Sequence, residues 1–316
     1  PMSCEAWLNK GLALFETKNY QDALLAYKKA IEINSTYSEA WFNIGFAYIA
    51  LKDFDLALKS FQTTYQINPG HEYLLGDLIH TQLLTGAWAG LKNNISLLID
   101  SIEKGLSAST PFPLLSIIDD PKLQLENARL WSKNKFPSSN LLSTAPRFTH
   151  KKIRIAYFSA DFKEHAVSVL MAELFELHDR NQFEIFAFSL QGCSPSDPMR
   201  ARLKRGFDQF IDVENKSDID VARLARELEI DIAIDLGGYT QYSRTGIFSY
   251  RAAPIQASYI GYLGTMGAPY MDYLIADKTI IPDHLKAHYS EKIAYLPCYQ
   301  VNDSSRKISE RDFTRQ

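Results

Sequence analysis

Cysteine is scarce in this chain: three in 316 residues, Cys4, Cys193 and Cys298, widely separated and odd in number. No CxxC pair occurs, so neither a zinc knuckle nor a disulfide framework is indicated, and a reducing, cytoplasmic setting is expected. An excess of charge of either sign is missing as well. The balance of 34 Lys and Arg against 37 Asp and Glu leaves a formal net charge of -3, which argues against nucleic acid or an anionic membrane as partner. No apolar run approaches the roughly 20 residues that cross a bilayer, and no signal peptide opens the chain. GxGxxG and the P-loop are also absent, which disfavours a dehydrogenase or a kinase. What is present is a 46% hydrophobic chain, long enough for two or three domains with sizeable cores.

The first hundred residues repeat. Trp7 and Trp41 are 34 residues apart, and so are Asn9 and Asn43, Gly11 and Gly45, Ala23 and Ala57, Tyr27 and Phe61. This is the tetratricopeptide (TPR) period, each unit a helical hairpin with its turn near Thr17–Asn19 or Leu51–Asp53. The small residues Gly11 and Gly45 allow close approach of two helices. A third, degenerate unit runs from about His71 to Lys92. Such a solenoid is most often a protein-binding scaffold. Asn9 and Asn43 share one repeat position, and an amide offers both a donor and an acceptor to an extended peptide backbone. Asparagine is also common at this position in ordinary repeats.

After a turn-rich stretch, Ser107–Pro113, and a helix from Pro121 to about Asn134, the pattern changes near residue 148. Apolar strands are expected at Arg154–Ala160, Glu184–Leu190, Gln209–Val213, Asp231–Leu236, Pro254–Ile260, Tyr273–Ala276 and Lys292–Leu296. Helices are expected between them at Val167–His178, Pro198–Phe207 and Asp218–Leu228. That alternation predicts a Rossmann-like parallel sheet. The fold class is therefore α + α/β, with TPR helices over 1–105, a helical linker over 106–148 and an α/β lobe over 149–316.

Three strand-end loops should meet at one rim, where open α/β sheets bind ligands. The first carries Asp161 and His165, and a histidine there can titrate near neutral pH. Asp161 can orient His165 or cap the helix at Val167, and capping is the commoner role. The second loop, Leu236–Arg244, has adjacent glycines that let a ligand approach the backbone. The third, Gly261–Gly267, has three glycines whose N–H groups suit an anionic or sugar ligand. His284 and His288 form an HxxxH pair without the intervening Glu of a zinc protease, so a surface pair is the better reading and no metal site is expected. Arg200, Arg202, Lys204 and Arg205 read as the solvated side of an amphipathic helix.

Taken together, Asp161-Phe162-x-x-His165, Gly238-Tyr239-Thr240, Arg251-x-Ala253-Pro254-Ile255-Gln256, Gly261-Tyr262-x-Gly264-Thr265, Met271–Tyr273 and Tyr289–Lys292 resemble the protein O-GlcNAc transferase family and its SPINDLY relatives. The departures are Gly237 for Asn, Ala252 for Pro and Leu263 for Pro, with Ala166 where many relatives have Pro. The resemblance covers the repeats as well. It implies the TPR part and first lobe of a two-lobed GT-B glycosyltransferase, moving GlcNAc from UDP-GlcNAc to Ser or Thr of polypeptides with inversion and without an essential metal or cofactor. It implies His165 as catalytic base, Tyr239, Thr240, Gly261, Tyr262, Gly264 and Thr265 as substrate-binding residues, and Asn9 and Asn43 as rungs of an acceptor-peptide ladder. The nucleotide is held mainly by the family's second lobe, so a chain ending near Gln316 is expected to be a piece of a longer protein and inactive by itself. A SPINDLY-type O-fucosyltransferase using GDP-fucose and a non-catalytic TPR adaptor remain as alternatives.

Overall fold

The computed structural model describes residues 3–142, 148–305 and 310–311. The features expected at Pro1 and over 312–316 lie outside the described residues, as do residues 143–147 beside the boundary expected near 148. The chain divides into two compact units, Pro1–Trp131 and Ser132–Gln316.

In the first unit, α1 (Cys4–Glu16) and α2 (Tyr20–Ile33) form one hairpin and α3 (Ser38–Ala50) and α4 (Phe54–Ile67) the next. Ser3 Oγ accepts from Ala6 N to start α1, and Asp53 Oδ1 accepts from Leu56 N to start α4. The two turns repeat in backbone detail, with Lys18 at φ 63° and Lys52 at φ 62°. The repeated glycines act through contact. A Cβ on Gly11 would lie 2.3 Å from Tyr27 Cε1, and one on Gly45 would lie 2.4 Å from Phe61 Cε1. In each hairpin one helix thus lacks a side chain where the other buries a ring.

The degenerate unit is a third hairpin, α5 (Leu74–Thr85) with α6 (Leu91–Glu103). Its Gly76 meets no ring. It faces the 107–109 segment instead: Gly76 N donates to Ala108 O at 2.9 Å, and a Cβ would strike Ser109 Oγ. Part of the stretch read as turn is helical, α7 (Pro111–Ile117), because Pro111 sits at the helix start, where its missing N–H costs nothing. Leu114 and Ile118 then join Leu75, Leu98 and Ile102 in one core. The segment expected as a linker is thus split, with α7 in the first unit and the division falling inside α8 (Pro121–Lys135).

The second unit is a sheet of seven parallel strands in the order β3-β2-β1-β4-β5-β6-β7. They are β1 (Ile153–Ser159), β2 (Phe183–Ser189), β3 (Gln209–Asp212), β4 (Ile232–Asp235), β5 (Ile255–Ser258), β6 (Tyr273–Ala276) and β7 (Lys292–Tyr295). The helices α9 (Ala166–Leu177), α10 (Pro198–Gly206), α11 (Asp218–Glu227) and α12 (Gly246–Ser249) follow in turn, with a 3-10 helix at Asp283–His288. Strand order reverses between β1 and β4, so the loops leaving those strands part around a crevice. Phe162, Phe175, Phe207 and Tyr157 fill the core on one face. Phe162 of the first loop is almost fully buried, its ring 5.5 Å from that of Phe207, which anchors the loop before His165. Among the described residues no helix is long and apolar enough to cross a membrane.

Candidate active site

Parallel strands deliver every carboxyl end to one edge, and β1, β4 and β5 are neighbours there. Their three loops interlock. Lys163 of the first lies 6.0 Å from the Tyr242 ring of the second. Tyr239 of the second donates its hydroxyl to Met266 O of the third at 2.6 Å, and its ring meets Tyr262 edge-on at 5.5 Å. Gly261 passes so close to the second loop that a Cβ would stand 1.9 Å from Leu236 O. Gly238, at φ 57°, leaves room for Tyr262, whose Cβ would be 2.4 Å from any added methyl.

His165 begins α9, and its Nδ1 accepts from Val167 N at 3.3 Å. The helix cap is therefore His165 and not Asp161, which corrects the capping role read from sequence. Asp161 instead accepts at its backbone carbonyl from Ser168 Oγ at 2.5 Å and holds Oδ2 3.6 Å from His165 Nδ1. One ring nitrogen cannot serve both neighbours. While Nδ1 accepts from the helix, the proton of a neutral ring sits on Nε2; a base at Nε2 needs Nδ1–H turned to Asp161. The His165 side chain is 43% exposed.

The residues assigned to sugar binding come together, but their side chains are engaged by the loops themselves. Thr240 Oγ1 donates to Gly237 O at 2.7 Å. Thr265 is buried, its Oγ1 donating to Glu291 Oε2 at 2.7 Å. Tyr262 is buried against Gly238 and Gly264, and burial raises its hydroxyl far above the ordinary range. Burial acts on Tyr239 in the same direction. What this rim offers a ligand is mainly backbone, with Leu263 exposed at its tip. In the first unit, Asn9 is exposed on α1, while Asn43 on α3 donates Nδ2 to Glu39 O at 2.7 Å.

Sequence pattern alone assigns no role to two acidic residues of the rim. Asp235 ends β4, is 2% exposed and accepts from Gly237 N at 2.9 Å through Oδ1; among the described residues its Oδ2 has no hydrogen-bond partner. Burial raises its carboxyl to about 6, against the lowering effect of the Gly237 and Gly238 amides. The signal was available: a carboxylate closing an apolar strand immediately before the paired glycines. Glu291, also buried, accepts from Met266 N at 2.6 Å as well as from Thr265, and so ties the third loop to the start of β7. Another correction concerns Arg200. It is buried, not solvated, stacking 4.8 Å over Phe210 and donating to Phe162 O and Ser189 Oγ, with Asp212 as its ion pair.

Residues 120–310 match the model of glycosyl transferase family 41, and residues 11–52 and 38–71 match TPR repeat models. Among curated proteins the chain is 33% identical over 248 residues to the probable UDP-N-acetylglucosamine–peptide N-acetylglucosaminyltransferase SEC of Arabidopsis thaliana, covering 73% of this chain and 25% of that one. It is 35% identical over 148 residues to the Caenorhabditis elegans UDP-N-acetylglucosamine–peptide N-acetylglucosaminyltransferase, covering 46% of this chain and 13% of that one. An Arabidopsis SPINDLY protein, whose name carries the same probable activity, is 31% identical over 156 residues, covering 47% and 17%. The chain thus spans about a quarter or less of the length of these relatives. A mutant O-GlcNAc transferase of Thermobaculum terrenum shares the fold, with a TM-score of 0.69 at 23% identity over 94% of this chain and 58% of that one.

Proposed function

The chain belongs to glycosyl transferase family 41, and from that premise we propose that it supplies the repeats and one catalytic lobe of a protein O-GlcNAc transferase. The reaction is transfer of GlcNAc from UDP-GlcNAc to Ser or Thr of polypeptides in the cytoplasm. The observation that carries this reading is the interlocked rim, with the part-exposed imidazole of His165 on the first of its three loops. The acceptor hydroxyl oxygen attacks C1 of the sugar opposite the diphosphate. The C1–O bond breaks as UDP leaves with its electron pair, and the hydroxyl proton passes to His165 Nε2. Asp161 holds Nδ1–H and stabilises the imidazolium, and such a base contributes about 100- to 10,000-fold. The geometry inverts C1. The backbone of the 236–245 and 261–267 loops, with Tyr239, Thr240, Tyr262, Gly264 and Thr265 fixing its course, lies along the donor. Neither a metal nor a cofactor is needed for this step.

Asn9 and Asn43 give the acceptor polypeptide a sequence-independent track. The names of the relatives favour UDP-GlcNAc over GDP-fucose as donor. The test uses the chain joined to the remaining length of its family, an acceptor peptide, and radiolabelled UDP-GlcNAc or GDP-fucose in parallel. Incorporation from UDP-GlcNAc is the expected result. Incorporation from GDP-fucose alone overturns the donor, and incorporation from neither leaves the adaptor reading.

A further inference from the structure

A groove of about 680 Å³ lies in the first unit between α2, α3 and α4. Ile31, Trp41, Ile44 and Leu56 wall it, and Lys28 and Lys59 stand at its margin. The nearby polar groups are already engaged: Trp41 Nε1 donates to Ser35 O at 2.9 Å and Ser60 Oγ to Leu56 O at 2.7 Å. Glu32, the acidic member of the lining, forms an exposed ion pair with Lys29 at 2.6 Å. Among the described residues neither Lys28 nor Lys59 has an acidic partner, and Lys28 lies 5.7 Å over the Tyr48 ring. The groove thus combines an apolar wall with two uncompensated ammonium groups.

We propose that this groove docks an acidic peptide segment, seating one bulky apolar side chain against Trp41 and Ile44 and setting carboxylates against Lys28 and Lys59. A small-molecule site would converge several free polar groups on its ligand, and here those groups are engaged internally. An apolar anchor flanked by acids matches what remains exposed. The site is separate from the asparagine row. Trp41, Ile44 and Tyr48 form one stripe of α3, and at about 100° per residue Asn43 lies roughly 130° around the helix from it. The proposal is independent of the transferase reading.

The whole chain is titrated, by fluorescence polarisation, into three fluorescein-labelled peptides: a tryptophan flanked by glutamates, the same flanked by lysines, and an acidic one with serine for tryptophan. The first should bind at least about tenfold tighter than the others and weaken as salt rises from about 50 to about 300 mM. Lys28→Glu with Lys59→Glu should cost it about tenfold or more, while Lys104→Glu, just past the end of α6, leaves it unchanged. All these lysines are exposed, so the variants fold. Equal affinity for the three peptides, no binding at millimolar protein, or loss on Asn43→Ala but not on the lysine variants overturns the proposal. So does a dimer in sedimentation that Lys59→Glu dissolves, since a second copy would then fill the groove.

Discussion

His165 is the observed cap of α9 and the proposed base, and substitution can separate the two. As helix cap it presents an unprotonated Nδ1 to Val167 N, whereas as base it needs Nδ1–H turned to Asp161 and a free Nε2. Replacement by Ala removes both, and the lost cap should cost about 1 kcal/mol of stability. His165→Asn keeps an acceptor for the helix and should restore that stability in urea titrations. Turnover of the family-length protein should fall about 100-fold or more in both variants, with little change in KM, because a base acts in the transition state. An Asn variant with near-normal turnover would leave His165 a cap and nothing more.

Asp235 makes a prediction in pH. Its carboxyl titrates at about 6 in the folded chain because burial disfavours the charged form, whereas an unfolded Asp titrates near 3.9. The folded state therefore binds the proton more tightly. Below the unfolded value this group costs nothing; the penalty grows as pH rises between the two values and is complete above the folded one, at roughly 3 kcal/mol. Asp235→Asn cannot ionise. Its stability relative to the parent should rise by about that amount between about pH 3 and about pH 8. A difference independent of pH would mean that Asp235 stays charged with a partner in solution.

At the scale of elements, most of the architecture could be read from periodicity, because strands and helices are set by local alternation of apolar residues. All seven strands form within a residue or two of their expected places, including short ones such as β6. The misreadings have one physical origin. Whether Pro111 opens a helix, whether Arg200 meets solvent and which side chain caps α9 depend on partners distant in sequence or on which way a side chain turns. Glu291 shows this most clearly: its motif was recognisable, but its role required seeing Met266 and Thr265 fold back onto it. That junction is testable. Gly261→Ala sets a methyl against the backbone carbonyl of Leu236, which cannot rotate away, and should cost about 3 kcal/mol or more. Gly45→Ala meets the ring of Phe61, which can shift, and should cost less, about 1–3 kcal/mol. Urea midpoints of the two variants compare them directly. A Gly261→Ala protein as stable as its parent would show that the second and third loops are not held in contact.

For the whole molecule, the repeats, the parallel sheet and the family were legible in advance because each rests on many spaced residues. The crevice chemistry was less so, since it depends on a few side chains whose directions only the fold decides. The rim exposes mainly backbone and one imidazole, and its polar side chains are mostly engaged within the loops. Such a surface holds a sugar and an acceptor hydroxyl better than it holds a diphosphate, whose charge calls for converging cations. The 316 residues by themselves are therefore expected to bind UDP-GlcNAc only weakly in calorimetry and to give no transfer to an acceptor peptide. Joined to the remaining length of a family-41 protein, the same chain should gain both tight binding and turnover. Tight UDP-GlcNAc binding by this chain alone would place the diphosphate on this rim, with Lys163 the first cation to substitute.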